Sequence, residues 1–191
     1  MPRGIARDHD QKRQAIRKGA AQYFAAHGFD RASMTGAARQ CGVSKALIYH
    51  YYDSKEALLY DILDTHLTEL AETARAVDPG GGLEPLICAI MEAYEDADAE
   101  HKLQIDALAV LPDDLQAPLI ALQRELVGIM SETLAREAPG LVGTDKLRPV
   151  TMSVFGILNW FYMWHRPGKG LTREEYCALA TGMVLNGIKA V

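Results

Sequence analysis

The chain has 191 residues, of which 49% are hydrophobic and 24% are charged, and its formal net charge at pH 7 is −5. This composition is typical of a globular domain and excludes a disordered chain. No apolar run reaches the roughly 18 residues of a membrane-spanning helix, and the polar N-terminus lacks a signal-peptide pattern. We therefore expect a cytoplasmic protein with no membrane partner.

The charge is distributed unevenly along the chain. Residues 1–55 contain ten Lys and Arg against four Asp, a balance of +6, so the other 136 residues contain ten basic against twenty-one acidic groups, or −11. A basic segment attached to an acidic body indicates a module that binds polyanions. The alternative is a basic face that is merely solvated.

Helical periodicity runs through the whole chain. From Asp10 to His27 the apolar residues fall on one stripe with a 3.6-residue period. Short second and third helices are predicted to begin near Ser33 or Thr35 and at Ser44, and a long fourth helix is predicted from Lys55 to about Val77. Further helices are predicted at about 83–97, 101–110, 114–138, 145–166 and 172–190, with no competing strand pattern. We predict an all-α protein with an N-terminal domain over residues 1–54 and a larger helical domain over 55–191.

The second and third helices have the pattern of a helix-turn-helix motif at about residues 33–52. A small residue, Ala38, stands where the two helices approach, Gly42 follows in the turn, and apolar residues fill the corner. With Ile48 turned inward, the opposite face of the third helix presents small or hydrogen-bonding side chains. Such a face fits a DNA major groove about 12 Å wide. The residues on it are Ser44, Lys45, Ala46, Tyr49 and His50.

We predict different roles for these side chains on double-stranded DNA. Lys45 is expected to bind guanine acceptors, and Ala46 to contact a thymine methyl group. Tyr49 is alternatively a half-buried aromatic residue without a ligand. The predicted phosphate contacts are Thr35, Tyr49, His50 and Lys55. A basic arm before the first helix, formed by Arg3, Arg7, Lys12 and Arg13, is expected to reach phosphates or an adjacent minor groove.

Residues 33–59, SMTGAARQCGVSKALIYHYYDSKEALL, and the helix end AAHGFDRAS resemble the DNA-binding domain of the tetracycline-repressor (TetR) family of bacterial transcriptional regulators. One departure is Gly36, where the family more often has a larger aliphatic residue. The resemblance implies about nine helices, a homodimer, and a C-terminal domain whose small-molecule effector changes the affinity for DNA. It also implies the four phosphate contacts named above and base contacts at residues 44–46.

The last two predicted helices carry wide apolar stripes interleaved with small residues. This pattern suits pairing with their copies in a four-helix dimer interface. A dimer is also expected because one short recognition helix makes too few base contacts for useful specificity. The alternative is that both stripes form intramolecular core. The stripes consist of Val150, Val154, Phe155, Leu158 and Phe161, and of Tyr176, Leu179, Ala180, Met183, Val184, Gly187 and Ile188.

Residues 156–176, GILNWFYMWHRPGKGLTREEY, resemble the end of TetR-family members that sense acyl-CoA thioesters or related lipid and aromatic-acid catabolites. An acyl-CoA effector would make Arg166 and Lys169 candidate phosphate contacts, and the alternative for both is a solvated loop. Polar residues within apolar helical runs are candidates to orient a ligand. The predicted pocket residues are Gln104, Asp106, Trp160, Met163 and Trp164, of which the aromatic ones are alternatively dimer core.

These features predict a transcriptional repressor that is released from a palindromic operator by a small hydrophobic or acyl-CoA-type effector. An enzyme acting on a small hydrophobic substrate is one alternative, but the sequence has no nucleophile elbow, no HExxH motif and no dinucleotide fingerprint. The histidines and the three cysteines lack ligand spacing, so we expect no catalytic residue, no metal and no cofactor. A DNA-binding protein without an effector is the other alternative.

Overall fold

The computed structural model describes residues 3–166 and 168–190, with side chains from residue 8 onward. Nine of its α-helices have seven residues or more, a tenth is a single turn, and the described ranges contain no strand. The prediction of an all-α protein with about nine helices is confirmed. The helices are α1 Arg3–His27, α2 Met34–Gln40, α3 Lys45–Tyr51, α4 Lys55–Ala76, α5 Leu83–Ala93, α6 Asp98–Asp106, α7 Asp113–Glu137, α8 Leu147–Asn159, α9 Phe161–Trp164 and α10 Arg173–Gly187.

Serine side chains begin three helices in the N-terminal part of the chain. The hydroxyl oxygens of Ser33, Ser44 and Ser54 each accept the backbone N–H three residues further on, at 3.0 to 3.1 Å. Each bond satisfies a donor that would otherwise be unpaired at a helix start. Gly28 ends α1 with a φ of +79°, and Gly42 turns the chain between α2 and α3 with a φ of +66°. These caps and turns delimit the predicted helix-turn-helix unit.

The described chain divides into two compact units. The first consists of the residues up to 66 together with 97–119, and the second of 67–96 together with the residues from 120 onward. The segment 97–119 belongs to the first unit because α6 packs on α1. The predicted domain boundary between residues 54 and 55 therefore does not coincide with this division, which runs through α4.

The first unit has its core beneath the apolar stripe of α1. Ile16, Ala20 and Phe24 are buried, as the periodicity predicts. The ring of Phe29 folds back onto this stripe and meets the Phe24 ring edge-on, with centroids 5.4 Å apart. The position of α1 is therefore determined by packing on both sides of the Gly28 turn.

The second unit is held together partly by hydrogen bonds at helix ends. Thr172 and Glu175 form the capping box that begins α10. The next residue, Arg173, donates to the backbone oxygen of Met91 in α5 at 3.0 Å and lies 5.0 Å from the centroid of the Phe161 ring. The start of α10 is thus tied to both α5 and α9.

Several predicted helix boundaries are wrong. The helix predicted at 83–97 ends at Ala93, and the one predicted at 101–110 runs from Asp98 to Asp106. The first helix begins at Arg3 instead of near Asp10, so the predicted basic arm is part of α1; the Lys12–Asp8 ion pair of 2.7 Å, one turn apart, supports helix there. The side chains of Arg3 and Arg7 lie outside the described residues. The helix predicted over 145–166 ends at Asn159, and the buried Phe161 begins the separate turn α9.

Candidate nucleic-acid interface

The third helix presents one polar face to solvent. Ile48 is fully buried beneath it, whereas Leu47 and Tyr51 are half-buried at its edges. The face is unobstructed by any other part of the first unit. Its exposed residues are Ser44, Lys45, Ala46, Tyr49 and His50, and Thr35 is exposed in the first turn of α2. Six of the seven predicted DNA contacts are therefore accessible side chains.

Local contacts orient several of these side chains. The Ser44 hydroxyl oxygen accepts the backbone N–H of Leu47, so it is engaged as a helix cap. The Lys45 ammonium lies 5.8 Å from the centroid of the Tyr49 ring. The His50 ring meets the Tyr51 ring edge-on, with centroids 5.5 Å apart. Lys45 thus lies beside Tyr49, and His50 beside Tyr51.

A carboxylate on α4 connects α1 to the end of α3. The Asp61 carboxylate accepts the Tyr52 hydroxyl at 2.6 Å and pairs with both nitrogens of the Arg13 fork, at 2.6 and 3.2 Å. The guanidinium of Arg17 lies 3.6 Å from the same carboxylate. Burial, with a further contribution from Asp61, raises the pKa of Tyr52 well above its ordinary value, so the phenol remains a donor. We call Asp61, Tyr52, Arg13 and Arg17 the Asp61 cluster.

The position of Asp61 in the sequence is itself a signal for this cluster. Asp61 lies within the apolar stripe of α4, between the buried residues Leu58 and Ile62. A charged residue at such a position is rarely left without partners. Its bidentate partner is 48 residues away in the chain, which periodicity cannot identify.

Lys55 differs from the other predicted DNA contacts. It begins α4 as predicted, but its ammonium donates to the backbone oxygens of Phe29 at 2.8 Å, Ala32 at 3.3 Å and Asp30 at 3.5 Å. The same nitrogen lies 4.3 Å from the centroid of the Phe29 ring. Because an ammonium has three donors, these carbonyls occupy its hydrogen-bonding capacity. In this structure Lys55 fixes the α1–α2 turn, and a phosphate contact would require the side chain to leave it.

A glycine occupies position 36, where the TetR family more often has a larger aliphatic residue, and the reason is steric. A Cβ atom added there would lie 2.0 Å from the hydroxyl oxygen and 2.3 Å from Cζ of Tyr23. The Tyr23 ring therefore crosses α2 at the one position without a side chain. The glycine allows α1 and α2 to approach closely, which the sequence alone did not indicate.

Gly36→Ala is expected to lower the free energy of unfolding by about 1–3 kcal/mol, because the new methyl group must displace Tyr23. In a Tyr23→Ala background the same change should be neutral or stabilising, since alanine favours helix over glycine by up to about 1 kcal/mol. Urea denaturation of the four proteins measures this coupling. Gly128→Ala in α7, where an added Cβ meets nothing within 4 Å, is the matched control. Equal losses at Gly36 in both backgrounds would contradict the steric cause.

Two family models match the chain. "Bacterial regulatory proteins, tetR family" matches residues 16–62, and "Tetracyclin repressor-like, C-terminal domain" matches residues 77–188, more than half of the chain. The chain belongs to the TetR family. It is therefore a DNA-binding transcriptional regulator, and the first model contains the whole of α2 and α3.

Individual TetR relatives agree with this assignment. A TetR-family regulator from Bordetella parapertussis has a crystal structure with a TM-score of 0.85, is 31% identical, and matches over 94% of this chain and 96% of its own. The HTH-type transcriptional repressor KstR2 of Rhodococcus jostii is 25% identical over 88% of this chain and 87% of its own. AibR, solved with isovaleryl coenzyme A and operator DNA, has a TM-score of 0.70 at 24% identity, covering 91% of this chain and 96% of its own.

The residues predicted to line an effector pocket are divided between the two units, with Gln104 and Asp106 in the first. Gln104 is half-buried and interacts with the buried His66. Burial, reinforced by the nearby His101, lowers the pKa of His66 to about 4, so its imidazole is neutral at pH 7. Asp106 is exposed, pairs with Lys102, and lines a separate surface cavity of about 390 Å³.

The predicted aromatic pocket residues and phosphate contacts lie at the surface of the second unit. Trp160, Met163 and Trp164 are 60%, 45% and 49% exposed, and their role in a ligand pocket stays a prediction. The Arg166 guanidinium donates to the backbone oxygen of His165 at 2.8 Å, and the Lys169 backbone N–H donates to Arg166. Both belong to a tight turn.

None of the described helices is long and apolar enough to cross a membrane, and the described residues contain no group of three metal-ligating side chains.

TetR-family regulators act as dimers, but most of the residues predicted for the interface face inward. A stripe this wide must first cover the core of its own unit, which is the intramolecular alternative. The buried members are Val154, Phe155, Leu158, Phe161, Tyr176, Ala180, Val184 and Ile188. Leu179, Met183 and Gly187 of the predicted set are exposed, and so are Met152 and Trp160 outside it. The exposed apolar face of α8 and α10 is therefore different from the predicted one.

Proposed function

We propose that this TetR-family regulator is a repressor that places two copies of α3 in a palindromic operator and leaves it on binding an acyl-CoA-type effector. The observation that carries the proposal is the polar, solvent-facing side of α3 over a fully buried Ile48. Two copies are needed because base contacts from one short helix give little discrimination. A palindromic site then places one half-site under each copy.

The proposed contacts follow from the side chains on this face. The short side chains of Ser44 and Ala46 let the N-terminal end of α3 approach the base edges. Lys45 is the proposed partner of guanine acceptors, and Ala46 of a thymine methyl group. Thr35, Tyr49 and His50 are proposed phosphate contacts, because each is exposed and can donate a hydrogen bond.

The proposed dimer uses the exposed apolar face of α8 and α10. Large side chains that are exposed on the same pair of helices indicate a protein-protein interface. Met152 and Trp160 contribute from α8 and its end, and Leu179 and Met183 from α10. Small residues, Gly156 and Gly187, are exposed on the same helices and allow close approach of a partner helix.

The effector class is supported by the relatives. KstR2 is described as a repressor, and the AibR complex contains both isovaleryl coenzyme A and operator DNA. We therefore propose a thioester of coenzyme A as the effector. Ligand binding would change the separation of the two recognition helices, so that both cannot occupy adjacent major grooves together.

Lys45→Ala tests the DNA-binding part of the proposal. The variant is expected to lose about 1–3 kcal/mol of binding free energy on the cognate operator. It should also discriminate less between guanine and other bases at the position that Lys45 contacts. Fluorescence anisotropy with labelled operator and with random duplex, each at several salt concentrations, measures both effects. Lys102→Ala, which removes an ion-paired lysine of α6, is the matched control and should bind both duplexes like the wild type.

Isovaleryl-CoA and longer acyl-CoAs added to the wild-type complex test the effector part. Release of the operator without consumption of the thioester supports a sensor. Consumption of the thioester would favour the enzyme alternative, and DNA binding that no thioester changes would favour a DNA-binding protein without this effector.

In the Lys45→Ala experiment, an equal loss of affinity for operator and for random DNA would contradict the role of Lys45 in base recognition.

A further inference from the structure

An open groove lies between α7 and α8 in the second unit. Its volume of about 520 Å³ is within the range of roughly 300–1,000 Å³ for small-molecule sites. Ile120 and Val127 line it with apolar side chains, and Gly128 adds open space because a Cβ atom there would meet nothing within 4 Å. Arg124 and Arg148 also line it. The groove therefore combines an apolar surface with two guanidinium groups.

The other arginines of the second unit have partners among the described residues. Arg75 binds the Glu125 carboxylate at 2.8 Å, Arg136 the Thr133 hydroxyl at 3.0 Å, Arg166 the His165 backbone oxygen at 2.8 Å, and Arg173 the Met91 backbone oxygen at 3.0 Å. Arg124 and Arg148 form no hydrogen bond or ion pair with the residues that the structure describes. Both unpaired arginines of this unit thus line the same groove.

The second unit carries a negative balance of charge. Residues 67–96 and 120–191 contain nine Lys and Arg against thirteen Asp and Glu, a balance of −4. Among the described residues, Arg75 pairs with a carboxylate, and Arg136, Arg166 and Arg173 bind a hydroxyl or backbone oxygens. Arg124 and Arg148 line the groove together with apolar side chains. Such a surface complements a ligand that has both anionic groups and an apolar chain. Guanidinium groups bind phosphate through paired hydrogen bonds, which a single ammonium cannot match.

We propose that the α7–α8 groove binds the phosphate groups of a CoA-type ligand through Arg124 and Arg148, with the pantetheine and acyl parts on the apolar surface of the groove. This inference rests on the proposed function, because its ligand belongs to the proposed effector class. It also replaces Arg166 and Lys169 as the phosphate contacts, since the Arg166 guanidinium is bound to its own turn.

Isothermal titration of the full chain with coenzyme A tests the site. The wild type is expected to bind, and the Arg124→Gln/Arg148→Gln variant to bind at least tenfold more weakly. The matched control is Arg166→Gln/Lys169→Gln, which removes the same charge and should stay within twofold of the wild type. Pantetheine, which lacks the phosphates, should bind weakly and equally to all three proteins.

Three results would overturn the inference. The first is no binding of coenzyme A to the wild type, and the second is a loss of affinity in the control pair instead of the groove pair. The third is inorganic phosphate competing as well as coenzyme A, which would show a simple anion site. A tenfold loss confined to the groove variant, for coenzyme A and not for pantetheine, would support it.

Measurements of operator binding distinguish a failure of the groove site from a failure of the proposed effector response. Without ligand, the groove variant should bind operator like the wild type, because both arginines belong to the second unit. If an acyl-CoA releases the wild type and the groove variant equally, the proposed function stands and the site is wrong. If coenzyme A binding needs the two arginines but no acyl-CoA releases the operator, the site stands and the effector part of the proposed function is wrong.

Discussion

Replacing Asp61 by alanine is expected to lower the free energy of unfolding by roughly 3 kcal/mol. The carboxylate accepts the Tyr52 hydroxyl at 2.6 Å and both nitrogens of the Arg13 fork, and its own side chain is only 12% exposed. Its loss leaves a buried phenol and a guanidinium without their partner. Because Arg13 is 47% exposed and can be hydrated, the loss should be at the lower end of the range for broken buried pairs. Urea denaturation followed by circular dichroism measures it.

The same substitution should also weaken operator binding by more than unfolding explains. Tyr52 ends α3, so its tie to Asp61 determines how the recognition helix lies on α1 and α4. Asp64→Ala, on the same helix, is the matched control, because among the described residues the Asp64 carboxylate has one hydrogen-bond partner, the Tyr60 hydroxyl at 3.5 Å. The free energy of unfolding of this control should fall by less than about 1 kcal/mol. Similar losses for the two aspartate variants would contradict the role given to the Asp61 cluster.

Protonation of His66 is expected to remove about 3 kcal/mol of stability between pH 7 and pH 4. Burial, reinforced by the nearby His101 and partly opposed by Gln104, lowers the pKa of His66 from 6.5 to about 4. Between these two values the unfolded chain binds a proton that the folded chain does not. The contribution of His66 is therefore complete above pH 6.5 and is lost progressively as the pH falls toward 4.

Urea denaturation at pH 7, 6, 5 and 4 tests this dependence. His66→Gln removes the titrating group while keeping a polar side chain, so its stability should fall less steeply than that of the wild type as the pH drops. His50→Gln is the matched control, because His50 is exposed on α3. It should keep the wild-type slope. An unchanged slope in His66→Gln would show that other groups cause the acid sensitivity.

The recognition region could be predicted from sequence because its determinants are local. Ser44 caps α3, Gly42 makes the turn, and Ile48 is the buried anchor, all within seven residues. The Asp61 cluster was missed because the partners lie on different helices. Lys55 begins α4 as predicted, but its contact with the Phe29 carbonyl could not be foreseen, because a long side chain at a given Cα can reach either solvent or neighbouring carbonyls.

The effector and dimer regions were harder to predict from the sequence, because their determinants also lie far apart in the chain or in another copy of it. Apolar periodicity identifies which side of a helix is covered but not which chain covers it. Val184 and Leu158 were assigned to a partner and are buried in their own unit, whereas Met152 and Trp160 are exposed outside the predicted stripes. The two unpaired arginines of the α7–α8 groove have no sequence motif at all. They stand out only when the partners of the other arginines are known.

Selection of duplexes from a random DNA pool by the 191-residue chain shows whether α3 reads DNA as part of a dimer. If the exposed face of α3 reads the major groove in a dimer, the selected sequences should converge on a palindrome whose half-sites lie about one helical turn, or a multiple of it, apart. The same selection with Lys45→Ala should lose preference at one symmetric pair of positions. Selected sequences without symmetry, or an identical consensus from the two proteins, would contradict the account.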